Sequence, residues 1–597
     1  MNKTTSSQKR AVRFFLIAIA ALLLCSVLNW GVVSGWGNVK VTRITIIGDD
    51  GCEYSALSYI PKTATNETPA PALLTIHGGS SNARNNESWS LEFARRGYVV
   101  IAVDNFGGGD SEYVSAYGPN AVPEMFYNLL QSMDIVDNDQ IITNGHSWGN
   151  DAAYNLGVKY NARAVLISSG NGSTVSGEYT GNMLQVFGGV ENVDTVENNT
   201  ANAVAAFSAS FPELTVDNIE VGKIYGSFEE GNAKQLMISP KQVHEGAMVH
   251  TDTTAALLDF AQKATTAPNY IDANDQVWYW KDVAGQLGII AFVAFLLSMA
   301  NLLMTCVPFF AGIVQPLPRN IGLRGVGMTI SIVAGLLFPV ISLYTGGLGL
   351  KKLIGISGNS VLNKIFSMRA GNFPFFAFAG IALLGIVMFF VYHFTEGKKQ
   401  HAKLCDYGLT SAESTRLDWC LIGKSALLAA VVITIGWTYI NAQTHVLGTD
   451  FYCLYWGVKD IVTVKFVHYI PYIIMYCLFF IAASLGLNVE RRLPSTGKDG
   501  LDFFLQTIFN MFMASAAIAA VILIQNAMQH AMDGGGSAAL ASFGIEIVRI
   551  WGMPVGMLAA GAGQTYLFRK SGSVYPGAFV MGTYCALTCV LYAQTRM

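Results

Sequence analysis

The pentapeptide Gly145-His146-Ser147-Trp148-Gly149 is the part of this sequence with the clearest capacity for chemistry. It follows an apolar run at residues 140–143 and precedes a helical pattern at residues 151–160. A serine on a Gly-x-Ser-x-Gly turn between a strand and a helix is lifted above the sheet, and the tight turn requires glycine near it. The hydroxyl becomes a good nucleophile only when a base removes its proton. The pentapeptide therefore predicts a nucleophile at Ser147 and requires a base elsewhere in the chain.

The composition divides the chain into a soluble part and an apolar part. Of the 597 residues, 52% are hydrophobic and only 13% are charged, whereas soluble domains have about 25% charged residues. Residues 39–280 nevertheless contain 12 Lys and Arg against 28 Asp and Glu, a net charge of −16. The sequence thus predicts a membrane protein with one acidic soluble domain at residues 39–280. An N-terminal anchor at residues 1–38 precedes that domain, and an all-α transmembrane domain at residues 281–597 follows it.

Nine apolar segments approach the ~20 residues that a membrane span needs. The first, Phe14–Val33, is longer than the apolar core of a signal peptide and lacks a clear Ala-x-Ala site, so we expect it to remain as an anchor. Eight more follow the acidic domain, and the last is the shortest: Leu287–Phe310, Gly325–Leu343, Phe373–Tyr392, Trp419–Ile440, Phe466–Leu487, Phe503–Ile524, Ile547–Phe568 and Ala578–Ala593.

Basic residues near the ends of these segments predict their orientation, because cations near span ends resist translocation. With nine spans, five basic clusters fall on one side, which we predict to be the cytoplasm. The acidic domain of this multi-pass cell-membrane protein then lies outside the cytoplasm. The loop with Lys351, Lys352, Lys364 and Arg369 opposes this orientation, unless residues 350–368 form an amphipathic helix in the interface. The five clusters are Lys9/Arg10/Arg13, Arg319/Arg324, Lys398/Lys399/Lys403, Arg491/Arg492/Lys498 and Arg569/Lys570.

Within the acidic domain, short β-type runs alternate with helical runs. This alternation predicts an α/β domain with a mostly parallel sheet. The predicted strands are Val41–Ile47, Ala72–Ile76, Tyr98–Val103, Ile141–Thr143, Ala164–Ile167, Met183–Phe187 and Gln235–Ile238. The predicted helices are Trp89–Arg96, Val122–Met133, Asp151–Tyr160 and Thr253–Lys263. Functional residues in such sheets collect just after the carboxyl ends of strands.

Three of these strand ends have distinctive sequences. The first continues into His77-Gly78-Gly79, the second into the sequence DNFGGGDS at residues 104–111, and the third into the pentapeptide around Ser147. Together with residues 97–100, Gly-Tyr-Val-Val, these motifs resemble the α/β-hydrolase superfamily, most closely its dienelactone-hydrolase-like or cutinase-like serine hydrolases. The resemblance covers residues 39–280 and leaves the membrane part unexplained. One departure is Asn150, where many relatives have a second glycine, so helix packing there is expected to differ.

The resemblance implies a serine–histidine–acid triad that forms an acyl-enzyme. The histidine should follow the last strand and precede the last helix. His244 and His250 both qualify, and His244 is preferred because His250 abuts the start of a helix. The acid should follow the strand Met183–Phe187, where Glu191 is preferred and Asp194 is the alternative.

The resemblance also implies an oxyanion hole, formed by the backbone N–H of Trp148 and that of Gly79 or a neighbour. His77 and His146 belong to the turns themselves and are expected to be structural. The indole of Trp148 has two open interpretations: an apolar wall for an acyl or aryl group, or packing of the helix against the sheet.

These observations predict a membrane-embedded serine hydrolase, of esterase, lipase or acyl-hydrolase type, that cleaves an ester, thioester or amide. A lipidic or hydrophobic acyl substrate is expected because the domain lies at the lipid bilayer. Two alternatives stay open: an acyltransferase with the same triad and a lipid or glycan acceptor, and a transporter or receptor whose hydrolase-like domain only binds a ligand. The sequence has no CxxC pair, and we expect no metal, no organic cofactor and no nucleic-acid partner. The oligomeric state is not predicted.

Overall fold

The computed structural model describes residues 5–79, 81–113, 118, 120–170, 178–191, 196–211, 213–343, 365–368, 371–411, 414–453, 456–531, 550–593 and 595. The chain begins with a long helix, continues into a sheet with helices on both faces, and ends in a bundle of apolar helices.

Nine strands form one sheet: β1 (Val39–Ile47), β2 (Glu53–Pro61), β3 (Ala70–Ile76), β4 (Val99–Val103), β5 (Val136–His146), β6 (Ala164–Ser168), β7 (Asn182–Gly188), β8 (Ile224–Tyr225) and β9 (Lys234–Ser239). Their order is β1-β2-β4-β3-β5-β6-β7-β9-β8. The strands from β4 to β9 in this order are parallel to one another, whereas the pairs β1–β2, β2–β4 and β9–β8 are antiparallel. The mostly parallel α/β sheet predicted from the sequence is thereby confirmed.

The first six helices are α1 (Ser6–Val33), α2 (Glu87–Arg95), α3 (Ala121–Gln131), α4 (Gly149–Tyr160), α5 (Val196–Ser210) and α6 (Thr251–Ala264). Alternate residues of the central strands pack on opposite faces of the sheet. Leu74 lies in the core formed with α3 and α4, whereas Leu73 lies in the core formed with α2 and α6. Strands buried on both faces are apolar throughout, which makes their sequences easy to recognise.

Two strands and one helix of this domain are absent from the sequence prediction. In β2, the residues Ser55, Ser58 and Pro61 dilute the β-type pattern, although every other residue of its buried face is apolar or aromatic. β8 has only two residues. The third element, α5, begins after residues that lie outside the described part of the chain.

The remaining helices are α7 (Trp278–Cys306), α8 (Pro308–Ala311), α9 (Gly325–Ser342), α10 (Asn372–Tyr392), α11 (Trp419–Leu447), α12 (Phe466–Leu485), α13 (Asp499–Ala531), α14 (Met553–Ser571) and α15 (Val574–Val590). Among the described residues, seven helices are long and apolar enough to cross a membrane, namely α1, α7 and α9–α13. All seven coincide with predicted spans. The prediction of nine spans stays open, because α15 is a shorter apolar helix and the predicted segment Ile547–Phe568 begins outside the described residues.

The predicted interfacial segment at residues 350–368, with Lys351, Lys352 and Lys364, lies almost entirely outside the described part of the chain, as does Arg369. The first helix is part of the bundle. It packs along α7, and Ser26 Oγ lies 2.6 Å from the Tyr439 hydroxyl of α11. Asn29 Nδ2 donates to Thr449 Oγ1 at 2.8 Å. Hydrogen bonds between apolar helices fix their register, so α1 is a packed member of the bundle.

Candidate active site

The turn that carries Ser147 is strained and tightly enclosed. Ser147 has a φ of +52°, in the left-handed region that few side chains adopt. A Cβ on Gly145 would lie 2.5 Å from the carbonyl oxygen of Gly149, and a Cβ on Gly149 would overlap the carbonyl oxygen of Ile76. Both glycines are therefore required by the geometry between β5 and α4. Such strain persists at sites where the surrounding structure enforces it.

Asn150 binds the loop after β6. Its Nδ2 donates to the carbonyl oxygens of Ser168 and Ser169, at 3.2 and 2.9 Å. Those two carbonyl oxygens also accept the backbone N–H of Ser147, at 3.0 and 2.9 Å. The polar side chain that departs from the family pattern thus supports the same loop that holds the turn of Ser147.

A continuous hydrogen-bonded chain runs from Ser147 to an acid. Ser147 Oγ lies 2.8 Å from His244 Nε2, and His244 Nδ1 lies 2.8 Å from Glu191 Oε1. The second oxygen of Glu191 accepts the backbone N–H of Gly188 at 2.8 Å, which fixes the carboxylate at the end of β7. Glu191 is buried, while His244 and Ser147 remain partly exposed. This arrangement can move a proton from a serine hydroxyl to an imidazole whose orientation is set by a carboxylate.

The sequence also offers His250 as the base and Asp194 as the acid. His250 lies at the start of α6, and its Nδ1 has no hydrogen-bond partner among the described residues. The described bonds pair Ser147 Oγ with His244 and not with His250. Asp194, the alternative acid, lies outside the described residues. The geometry therefore favours His244 over His250 and supplies a position for Glu191 alone.

The expected oxyanion donors are neighbours. Trp148 immediately precedes α4, and a Cβ on Gly79 would lie 4.0 Å from Trp148 Cβ. At Gly78, an added Cβ would lie 2.8 Å from His146 Nδ1, so no larger residue fits between the turn after β3 and the turn after β5. The N-terminus of α4, the positive end of the helix dipole, lies beside Ser147 and stabilises negative charge there.

The two histidines in the turns, His77 and His146, form hydrogen bonds with backbone groups. His77 Nε2 accepts the backbone N–H of Asn105 at 3.0 Å, and its Nδ1 lies 2.7 Å from the carbonyl oxygen of Gly78. His146 Nε2 lies 3.0 Å from the carbonyl oxygen of His244, to which it donates. Burial, followed by the nearby His244, lowers the pKa of His146 to about 4. His146 is therefore neutral at pH 7 and keeps the backbone of His244 in place.

An aromatic pair stands beside the nucleophile. The ring of Phe106, in the loop after β4, lies edge-on to the indole of Trp148 with centroids 5.4 Å apart. Phe106 also packs against Tyr113 at 5.6 Å. The indole thus contacts a loop residue on the same edge of the sheet, which favours the apolar-wall interpretation of Trp148.

The loop that carries Phe106 is held from the helix bundle by Lys465, the residue before α12. Lys465 is buried, and its Nζ donates to the carbonyl oxygens of Gly107 and Gly109 at 2.9 and 2.6 Å. The backbone N–H of Thr595 donates to Gly107 from the other side at 2.8 Å. Residues far apart in the sequence therefore fix one loop of the site.

A cluster of buried charges lies next to this loop. Lys459 Nζ is 2.5 Å from Asp110 and 3.3 Å from Asp460. Arg43 of β1 pairs with Asp110 and with Asp460, the latter at 3.2 Å. Burial is opposed by the charges of Arg43 and Lys459, and the net effect lowers the pKa of Asp460. These pairs join the sheet to the segment between α11 and α12.

The sequence interpretation does not include Phe106, Arg43, Lys459 or Lys465 among the functional residues. A sequence signal exists for two of them: Lys459 and Lys465 lie close together just before an apolar segment, on the side that the sequence predicts to be extracytoplasmic, where cations are disfavoured. Two cations there need partners, and the acidic domain is the natural source of them.

Known protein families give no match to this chain, and no curated protein matches it in sequence. Several solved structures are similar over part of it. The glucuronoyl esterase from Solibacter usitatus is 13% identical, with 38% of this chain and 82% of that chain covered and a TM-score of 0.29. Acetyl xylan esterase 1 from Thermoanaerobacterium sp. JW/SL YS485 is 16% identical, with 35% and 78% covered and a TM-score of 0.24. Est1E from Butyrivibrio proteoclasticus, with ferulic acid bound, is 14% identical, with 34% and 90% covered and a TM-score of 0.26. Likenesses at these TM-scores add nothing to the geometry of the site.

Proposed function

We propose that this chain is a membrane-embedded serine hydrolase that cleaves an ester, thioester or amide through an acyl-enzyme. One observation supports it above all: the unbroken series of hydrogen bonds from Ser147 through His244 to Glu191, at 2.8 Å each. The site also has a strained turn that exposes the hydroxyl and a helix N-terminus beside it. A domain that served only to bind a ligand would have no need of this combination.

In the proposed reaction, His244 Nε2 removes the proton of Ser147 Oγ as that oxygen attacks the substrate carbonyl carbon. The negative charge on the carbonyl oxygen is met by the backbone N–H groups of Trp148 and Gly79, each worth roughly 3–4 kcal/mol. His244 then gives its proton to the leaving group, and the acyl group remains on Ser147. A water molecule, deprotonated by His244, hydrolyses the acyl-enzyme and restores the serine. Glu191 orients the imidazole and stabilises its cation throughout.

The substrate class proposed is a hydrophobic acyl group. The support is the pair of Phe106 and Trp148 next to Ser147, which offers apolar surface to an acyl or aryl chain. The attachment of the loop with Phe106 to the helix bundle through Lys465 keeps that surface close to the apolar part of the protein.

The test is labelling of the full-length protein by a fluorophosphonate, together with turnover of p-nitrophenyl esters of increasing acyl length. Ser147→Ala should abolish both signals, while Ser169→Ala, in the neighbouring loop, should keep labelling. Turnover should increase with acyl length until the acyl chain extends beyond the apolar surface of Phe106 and Trp148. Labelling of Ser147→Ala at wild-type strength would refute the proposal. Release of acyl product only when an acceptor alcohol is present would replace hydrolysis by acyl transfer.

We also propose that the domain lies outside the cytoplasm. Four of the apolar helices, α7, α9, α10 and α11, separate the domain from the segment at residues 448–465 that contacts it. An even number of crossings returns the chain to the same side, as this contact requires. In intact cells, a membrane-impermeant maleimide should label Cys at the exposed position of Glu67 but not at that of Lys399. The opposite labelling pattern would invert the proposed orientation.

A further inference from the structure

The helix bundle contains a second cavity, separate from Ser147. Five helices surround it, α9, α10, α12, α13 and α14, and its empty volume is about 990 Å³, part of it open to the surface. Much of its lining is glycine and alanine, including Gly335, Ala382, Gly385, Ala514 and Ala560. Small residues at facing positions leave the space, while rings and aliphatic side chains supply apolar walls.

One end of this cavity is charged. Ser331 Oγ donates to Glu490 Oε1 at 2.5 Å, and Arg491 Nη1 donates to the carbonyl oxygen of Ser331 at 3.2 Å. Glu490 is buried, and Arg491 Nε is buried without a hydrogen-bond partner among the described residues. Glu490 and Arg491 form no salt bridge with each other in the described part of the chain. An ionisable pair at the end of an apolar helix, with free donor capacity, indicates a functional site.

Two glycines make room for the guanidinium group. A Cβ on Gly335 would lie 2.5 Å from Arg491 Nη1, and a Cβ on Gly486 would lie 2.5 Å from Arg491 Nη2. Arg491 therefore passes between α9 and the turn after α12 at two points where the backbone has no side chain. The guanidinium is held in a fixed place at the mouth of an apolar cavity, where its donors can bind an oxygen ligand.

We propose that this cavity binds one acyl chain of a phospholipid with a zwitterionic head group. The phosphate accepts hydrogen bonds from Arg491, and the ammonium group lies against Glu490. A head group with one negative and one positive charge matches a site with one cation and one anion, whereas a purely anionic head group would meet the carboxylate of Glu490 uncompensated. The chain extends along Phe338 and Phe378. Ser331 and Pro339 both line the cavity, eight residues apart on α9, which corresponds to about 12 Å along a helix.

The position of the charged end fits a lipid in a bilayer. The helical segment that continues α12 ends at Glu490, directly before Arg491, so both residues lie at the end of an apolar span, where a head group is expected to meet the hydrocarbon. Arg324 and Arg492 do not line the cavity, and Arg324 Nη1 donates to the carbonyl oxygen of Arg492 at 3.0 Å. A lipid bound there would be gripped at its head and enclosed along one chain.

The experiment uses the purified full-length protein in nanodiscs, with phosphatidylethanolamine that carries a diazirine in one acyl chain. Photolysis should attach the lipid to peptides of α10 and α13 that line the cavity. Ala382→Phe fills the cavity and should reduce this labelling about tenfold, the effect of about 1.4 kcal/mol in binding. Leu383→Phe is the matched control, because Leu383 is the next residue on α10 and is 64% exposed. It should label as the wild type does.

The head group is tested by competition. Unlabelled phosphatidylethanolamine should suppress the labelling more strongly than phosphatidylglycerol, and Glu490→Gln should remove that difference. Arg491→Gln should weaken both lipids. Equal competition by the two lipids on the wild type would overturn the zwitterionic assignment. Unchanged labelling in Ala382→Phe, or equal losses in Ala382→Phe and Leu383→Phe, would overturn the cavity itself. Ser147→Ala should label normally, so the outcome is independent of the proposed hydrolase.

Discussion

Two groups of polar side chains, the candidate active site and the charged cluster next to the loop with Phe106, differ in how exposed they are. In the candidate active site, Ser147 and His244 are partly exposed. In the cluster that joins the sheet to the bundle, Lys459 and Asp460 are almost fully buried, and each charge faces an opposite one. Reactive groups must keep a free side for the substrate, whereas buried ion pairs are tolerated only when each charge has its partner.

The two groups also differ in the parts of the fold from which their residues come. Ser147, His244 and Glu191 all follow strands of one sheet, so its topology brings them together. The cluster takes Arg43 from the sheet and Lys459 from the bundle. The first group therefore lies within one domain, and the second fixes that domain on the apolar helices. The following substitutions separate these two roles.

The largest effect is expected from Ser147→Ala. Loss of the nucleophile should lower kcat/KM for a p-nitrophenyl ester by about 10⁴-fold or more. The hydroxyl is partly exposed, so the midpoint of thermal unfolding should change little. A rate assay and a thermal melt on the same sample give both results. A large loss of stability would mean that the serine belongs to the structural group.

The opposite profile is expected from Asp110→Asn. Arg43 and Lys459 would each lose one of two acidic partners and keep Asp460, which should cost about 1–3 kcal/mol of folding free energy, less than a buried charge left without any partner. Among molecules that remain folded, the rate should fall far less than in Ser147→Ala. Denaturant unfolding and active-site titration with a fluorophosphonate separate the amount of folded protein from its rate. Asp137→Asn, at a partly buried site away from the cluster, is the control and should be close to neutral.

A pH effect is expected from His146. Its pKa of about 4 in the folded protein lies below the ordinary value of 6.5, so the unfolded chain binds more protons between these values. The contribution of His146 to the free energy of unfolding is therefore fully present above pH 6.5. It decreases as the pH falls towards 4, by about 1.4 kcal/mol per pH unit. Unfolding free energies at pH 7 and pH 5 measure this loss. His146→Asn should show a smaller decrease than the wild type; an equal decrease would exclude His146 as its source.

A smaller and mixed effect is expected from Lys465→Met. The carbonyl oxygen of Gly109 loses the donor Lys465 Nζ and that of Gly107 keeps only the backbone N–H of Thr595, at a cost of about 1–3 kcal/mol. Because the same loop carries Phe106, the change should also alter the preference for acyl length, which Asp110→Asn need not do. Kinetics with short and long esters test this. Lys465→Arg keeps the charge and should recover part of both losses. Unchanged acyl preference would show that Lys465 supports the fold alone.

The smallest effect is expected from Phe106→Ala. Removal of one ring from the wall beside Trp148 should lower kcat/KM for long acyl chains by about 1–2 kcal/mol relative to short ones. The ratio of the two rates measures the effect directly, and thermal unfolding checks the fold. A loss that is equal for all chain lengths would argue that the aromatic pair only packs the helix against the sheet.

The parts of the fold that follow from local rules were predictable from the sequence. The elbow at Ser147 needs glycine on both sides because backbone atoms fill the space. The buried strands are apolar on both faces and therefore stand out, whereas β2, with its serines, does not. In the part of the chain that the structure describes, seven helices are recognisable because they have the length and the apolar composition that a bilayer would require.

The sequence by itself determined the mostly parallel sheet, the apolar helices and a short set of candidates for the site, since each of these depends on neighbours along the chain. It left His244 against His250 open, because both residues satisfy the same order of strands and helices. The tertiary structure decided which imidazole lies 2.8 Å from Ser147 Oγ. It also decided that Lys465 holds the loop at Gly107, 358 residues away. Such contacts depend on the relative positions of packed elements, because hydrogen bonds and ion pairs form over a few ångströms in space, whatever the separation along the chain.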